Sequence, residues 1–183
     1  MPYVWKKLKD TPSRWSGMIS PRDSINSALD YIAGRNRNGI VPAPPVFEFE
    51  VPMCKLRRLD CLAGQYDTKI LSPALSGKLQ KLVPQAIAVL PVIVKALDEV
   101  SHDFGLLRVT TQVAALDEAR SRFKDRWSPT ALRFHEELVA GMCLVEDEAT
   151  NLVLVGDELR CLLAQEGFCN LGLYRPEDLD KKD

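Results

Sequence analysis

The side chains best suited to nucleophilic, acid–base or metal chemistry are two histidines, His102 and His135, and five cysteines, Cys54, Cys61, Cys143, Cys161 and Cys169. A structural zinc site needs closely spaced thiolate pairs, and no two cysteines stand at C-x-x-C spacing. His135-Glu136-Glu137 lacks the second histidine one helical turn on that a zinc-protease helix requires. His135 with Cys143 is the arrangement closest to an activated thiolate. Helical spacing, however, puts His135 on an inner apolar face and Cys143 in a buried strand, where both read as packing residues. His102-Asp103 falls at a helix end, a favourable place for a protonated imidazole. The acidic groups at Asp98-Glu99, Asp117-Glu118 and Glu146-Asp147-Glu148 are contiguous rather than spaced around a cavity, and they read as solvated faces. No phosphate-binding glycine loop and no G-x-S-x-G elbow is present. The residues therefore point to binding rather than catalysis, with no metal and no cofactor expected.

The charge is unevenly placed. The formal net charge is −1, yet residues 1–58 carry +5 and the remainder −6. Lys6, Lys7, Lys9, Arg14, Arg35, Arg37, Arg57 and Arg58 are the candidates within that basic third for contact with nucleic acid or an anionic membrane. Trp5 and Trp15 beside the lysines fit base stacking or a lipid surface, and equally a pin holding an arm to its own domain. An odd cysteine count behind a charged start, MPYVWKKLKD, is expected of reduced thiols in an intracellular compartment, cytoplasmic or nuclear, and not of a secreted protein. The run LVPQAIAVLPVIVKAL, residues 82–97, is short for a bilayer and is broken by Pro84, Gln85, Pro91 and Lys95, so no transmembrane span is expected.

Three Ser-Pro steps, at 20–21, 72–73 and 128–129, look like helix starts, since the serine can cap the first turn and proline there loses no hydrogen bond. A helix is predicted over 21–33, followed by a turn at Asn38-Gly39 and a proline-rich connector at 42–45. Alternation in VFEFEVP predicts a half-buried strand over 46–52, at an edge or ended by Pro52. A further strand is predicted near 69–71. Helices are predicted from Ser72 to Phe104, broken at the two prolines, and from Thr110 to Phe123.

The most ordered pattern is residues 128–167. It reads as a helix over 129–142, a strand at 143–145, a polar turn, a returning strand at 152–155 and a last helix stopped by Gly167. On Leu138, the Gly141–Val145 stretch and GDELRCLL at 156–163, this segment of about 40 residues resembles a winged helix-turn-helix domain of the MarR-like kind. The resemblance implies DNA contact through Arg133 and the preceding Arg120, Arg122, Lys124 and Arg126. The exposed face would also present Glu136 and Glu137, and the wing EDEATN is acidic, which repels phosphate.

The expected fold is α+β and predominantly helical, with short antiparallel strands that include a wing-like hairpin near the C-terminus. The expected organisation is one domain: an arm at 1–19, a helix with an edge strand and proline-rich loop at 20–72, a helical core at 73–170 and a polar tail at 171–183. The expected function is a non-enzymatic adaptor or assembly subunit that meets a protein partner or itself. A nucleic-acid-binding regulator and a viral matrix-like structural protein are the alternatives.

Overall fold

The computed structural model describes residues 2–8, 11–20, 30–31, 43–125, 128–168 and 170–179. In chain order the strands and helices are β1 (Tyr3–Trp5), β2 (Ser16–Ile19), β3 (Val46–Glu48), α1 (Met53–Leu56), β4 (Cys61–Gly64), β5 (Lys69–Leu71), α2 (Pro73–Leu82), β6 (Ile87–Pro91), β7 (Ile93–Lys95) and β8 (Val100–Ser101). They continue with β9 (Gly105–Val109), β10 (Gln112–Val113), β11 (Arg122–Asp125), β12 (Ser128–Ala131), α3 (Glu136–Val139), β13 (Leu144–Asp147), β14 (Val153–Val155), α4 (Asp157–Gln165) and β15 (Leu173–Tyr174). The protein is thus mostly β, and the expectation of a predominantly helical chain is corrected. The chain divides into two compact units: Lys7–Arg108, and Met1–Lys6 with Val109–Asp183.

The unit of residues 7–108 is built on an eight-stranded sheet of order β6-β9-β5-β4-β2-β3-β7-β8. Alternation in VFEFEV decides its faces. Phe47, Phe49 and Val51 are buried, while Glu48 and Glu50 face outward. Each fully buried phenylalanine contributes roughly 2–3 kcal/mol. β2 and β4 run parallel with Gly17 opposite Gly64. A β-carbon at Gly17 would lie 2.5 Å from the Phe49 ring, and one at Gly64 would lie 2.9 Å from Phe47. Two adjacent glycines therefore make room for two aromatic rings. Ile19, Phe47, Met53, Leu62, Ile70, Val94 and Leu106 join in one apolar core, on which Trp15 packs. Of the strand expected at 46–52, Val46–Glu48 forms, but it is paired on both sides, with β2 and β7, and so is interior to the sheet. The strand at 69–71 forms as expected.

The broken helix expected at 82–97 is instead the strands β6 and β7. Valine and isoleucine dominate the run, and their branched β-carbons fit a pleated sheet better than a helix. Pro91 closes β6, and the Pro91 carbonyl accepts the Tyr31 hydroxyl at 2.6 Å. Of the three Ser-Pro steps, Ser72 caps α2: its hydroxyl accepts the Leu75 amide at 3.2 Å. The helix expected at 21–33 lies outside the described residues except Asp30 and Tyr31, which are helical.

The other unit has a five-stranded sheet of order β10-β13-β14-β1-β15 and the separate pair β11-β12. Within residues 1–19, expected as an arm, two strands pair in sheets. β1 lies between β14 and β15, with Val4 and Trp5 buried, and β2 belongs to the eight-stranded sheet. The winged-helix order does not form. Ser128-Pro129, expected to start a recognition helix, stands in β12, and only the single turn Glu136–Val139 is helical. The expected hairpin does form as β13 and β14, but β10 and β1 flank it within the larger sheet. The last helix forms as α4 after Gly156, and Gly167, at φ +89°, follows its end as a left-handed stop.

The helix expected over 110–123 is replaced by β10, extended chain, a turn at 118–120 and the start of β11, and a buried carboxylate holds two amides of the segment. Asp147 has no exposed surface, and its Oδ1 accepts the amides of Ala115 at 2.9 Å and Leu116 at 2.8 Å. Its Oδ2 accepts the Thr150 amide at 2.9 Å and hydroxyl at 2.7 Å.

Candidate docking face

The groups first considered for chemistry do not assemble into a centre. Among the described residues, no three histidine, cysteine or acidic side chains are grouped to hold a metal ion. His135 is not on an inner face: its side chain is 40% exposed and its Nδ1 lies 3.3 Å from Glu137 Oε1. His102 is exposed. Cys54 and Cys161 are exposed, whereas burial pushes the Cys61 thiol up to about 12, against the opposing pull of the Lys69 ammonium. Cys169 lies outside the described residues. No helix among the described residues is long and apolar enough to cross a membrane.

The basic candidates separate as well. Lys7 donates to the Ser16 hydroxyl at 2.6 Å. Lys6 is half-buried, and its amide donates to the Gly172 carbonyl. Arg57 is ion-paired with Glu99, beside an exposed Arg58. Arg14 is exposed in the short 3₁₀ turn Ser13–Trp15. Arg120 lies 3.4 Å from Asp117, and Arg133 donates to the Leu132 carbonyl. Arg122 opens β11 and has an interaction of its own, while Lys124 lies within that strand. Lys9, Arg35, Arg37 and Arg126 lie outside the described residues.

The structure instead brings together a set of residues on the outer face of the eight-stranded sheet. Cross-strand register places Met18 opposite Glu48, Glu48 opposite Lys95, and Lys95 opposite Val100. Because side chains alternate across a strand, these four share one face. The row one residue along, Ile19-Phe47-Val94-Ser101, is buried on the opposite face. The outer row is open: Met18 is 54% exposed and Val100 50%, and Leu97 beyond them is 69% exposed. Glu48 sits between two donors, Lys95 Nζ and the Ser20 hydroxyl, each 3.0 Å away. A cleft of about 490 Å³ opens on this face; among the described residues its lining is apolar at Met18, Phe49, Ala96 and Leu97 and charged at Arg14, Glu48, Glu50 and Lys95, whose charges sum to zero.

A second concavity of about 410 Å³, in the unit with the five-stranded sheet, is lined by Glu136, Glu137, Asp157 and Glu158 around Val139 and Met142. These carboxylates lie in the first turns of α3 and α4, where they offset the helix dipoles, and they need no ligand to account for them.

Sequence reasoning missed the outer row. The alternation at 46–52 did point Glu48 and Glu50 outward. But the sequence predicts an arm where β2 forms and a helix where β7 forms, which hides the register that gathers Met18, Lys95 and Val100 beside Glu48. No protein-family model and no curated protein matches the chain.

Proposed function

We propose that this chain is a non-enzymatic binding protein, an adaptor or assembly subunit, which works by docking another polypeptide on the outer face of its eight-stranded sheet. The observation that carries this is the Met18-Glu48-Lys95-Val100 row with Leu97 beside it: large apolar side chains held in water around a fixed ion pair. Solvated charge is the ordinary covering of an outer sheet face, and a cluster of exposed methionine and valine on strands, with a leucine in the bend beside them, is the usual mark of a contact surface. Among the described residues the charges of the cleft lining sum to zero, which suits a protein surface better than a polyanion.

The test is affinity capture by the full chain from its source cells, beside the double variant Met18→Asp, Leu97→Asp. A protein retained stoichiometrically by the native chain and lost with the variant is the expected result. Equal capture by both, or salt-sensitive binding of DNA, RNA or anionic vesicles by the purified chain, overturns the reading.

A further inference from the structure

We infer that the polypeptide docked on this face is a second copy of the chain, paired through a two-fold axis; this rests on the protein-contact reading above. The order of side chains across the face supplies the argument. Strand register fixes it as apolar, acidic, basic, apolar: Met18, Glu48, Lys95, Val100. With strands about 4.8 Å apart, the row spans roughly 14 Å. All four side chains are solvent-facing, the charged pair being 36% and 50% exposed for Glu48 and Lys95.

Such a row is complementary to itself in reverse. A two-fold axis in the contact plane, perpendicular to the row and passing between β3 and β7, turns the second copy end for end. Met18 then meets the second copy's Val100, and Glu48 meets the second copy's Lys95, each contact occurring twice as a two-fold requires. The intrachain pair Glu48–Lys95 becomes a ring of four alternating charges, flanked on both sides by apolar contacts. The other two-fold arrangement has its axis along the row. It sets Glu48 against Glu48 and Lys95 against Lys95, and like charges exclude it. Leu97 and the cleft charges Arg14 and Glu50 lie beside the row, the first widening the apolar area and the other two again of opposite sign. Antisymmetry about its own centre makes the row complementary to itself, a property that a second copy uses and an unrelated partner has no need of.

The experiment measures the mass of the purified full chain by light scattering and sedimentation across a concentration series. The native chain is expected to pass from monomer to dimer. Lys95→Glu sets a carboxylate against Glu48 of the second copy, and Glu48→Lys sets two ammonium groups together. Each single variant is expected to self-associate on the order of a hundredfold more weakly. The double variant Glu48→Lys, Lys95→Glu restores alternation and is expected to dimerise again. An equimolar mixture of the two single variants is expected to form a mixed dimer, since each supplies the charge that the other lacks. These two rescues separate lost contact from lost folding.

A native chain that stays monomeric overturns the inference, as does a dimer indifferent to both single variants. In either case the captured protein still tests the broader reading. Capture lost in Met18→Asp, Leu97→Asp from a monomeric native chain leaves protein docking standing with a different occupant. A charge-dependent dimer that captures nothing further leaves self-assembly as the function.

Discussion

The two units solve the same problem, covering a twisted sheet, by different means. In residues 7–108 the inner sheet face is closed by side chains that need no hydrogen bond: Phe47, Met53, Leu62, Ile70, Val94 and Leu106. Among the described residues its one buried cation, Lys69, lies at the edge of a turn, 3.0 Å from Asp67 Oδ2. In the other unit the apolar cluster of Val4, Leu132, Phe134, Val145 and Leu154 is joined by a wholly buried Asp147 that organises two loops. That unit also takes an interior strand from the far N-terminus of the chain. Apolar closure is additive and tolerant of small changes, whereas a polar hub and a borrowed strand are each a single point of failure. The two units should therefore respond to injury differently.

The largest expected effect is from removing residues 1–6. β14 and β15 both lose their shared neighbour, and buried Val4 and Trp5 are lost with it. Hydrogen exchange should show protection lost throughout β14 and β15. Protection retained there would mean that β1 is an ornament, and the contrast between the units would fail.

Next is Asp147→Ala. Four donors lose the Asp147 acceptor, the Leu116 amide and the Thr150 amide and hydroxyl among them, while the Ala115 amide keeps the Val113 carbonyl at 2.9 Å. Urea unfolding should give a loss of roughly 3–5 kcal/mol, since each buried group left unpaired is costly. Asp147→Asn keeps one oxygen, and with it one pair of these bonds, and should cost clearly less. Leu62→Ala, at a fully buried apolar site in the other unit, should cost about 2–4 kcal/mol with no comparable rescue by an isostere. An Asp147→Ala cost below that of Leu62→Ala would deny the hub its role.

The same contrast explains what could be read from the sequence. Local signals were legible: the alternation at 46–51, the Ser72 cap, the β13–β14 hairpin and the Gly156-to-Gly167 helix are each set by neighbours in sequence. What failed was set by distant residues. Nothing near Ala115 announces that its amide is taken by Asp147, 32 positions on. Nothing near Tyr3 announces a place opposite Val155. The run 82–97 is different, because its branched residues favoured strand and its prolines were read as helix breaks. Once β2 and β7 were misread, the outer row could not be seen, since register alone assembles it.

Cysteine labelling probes the apolar unit more finely. A thiol must ionise to react, and burial pushes Cys61 up to about 12, so at pH 8 almost none of it is thiolate. Exposed Cys54 and Cys161 should alkylate first, and Cys61 should stay unmodified in the folded chain. Mass spectrometry after brief iodoacetamide treatment reads this directly. Modification of Cys61 at the rate of Cys54 would mean that its surroundings do not hold the thiol protonated.

The smallest expected effect has the opposite sign. The β4–β5 turn holds two successive non-glycine residues in the left-handed region, Tyr66 at φ +60° and Asp67 at φ +57°. A β-carbon there costs about 1 kcal/mol, and asparagine bears that conformation better than tyrosine. Tyr66 is 55% exposed, so replacing its ring forfeits little burial. The turn itself stays closed, because the Gly64 amide donates to the Thr68 carbonyl at 2.9 Å and the Thr68 hydroxyl donates to the Gln65 carbonyl at 3.0 Å. Tyr66→Asn should therefore stabilise the chain by roughly 0.5–1 kcal/mol in urea unfolding. A unit closed by apolar burial can carry such local strain without losing its fold, and relieving the strain should raise the unfolding midpoint without changing its slope. A destabilising outcome would instead show the Tyr66 ring contributing more to this unit than its exposure allows.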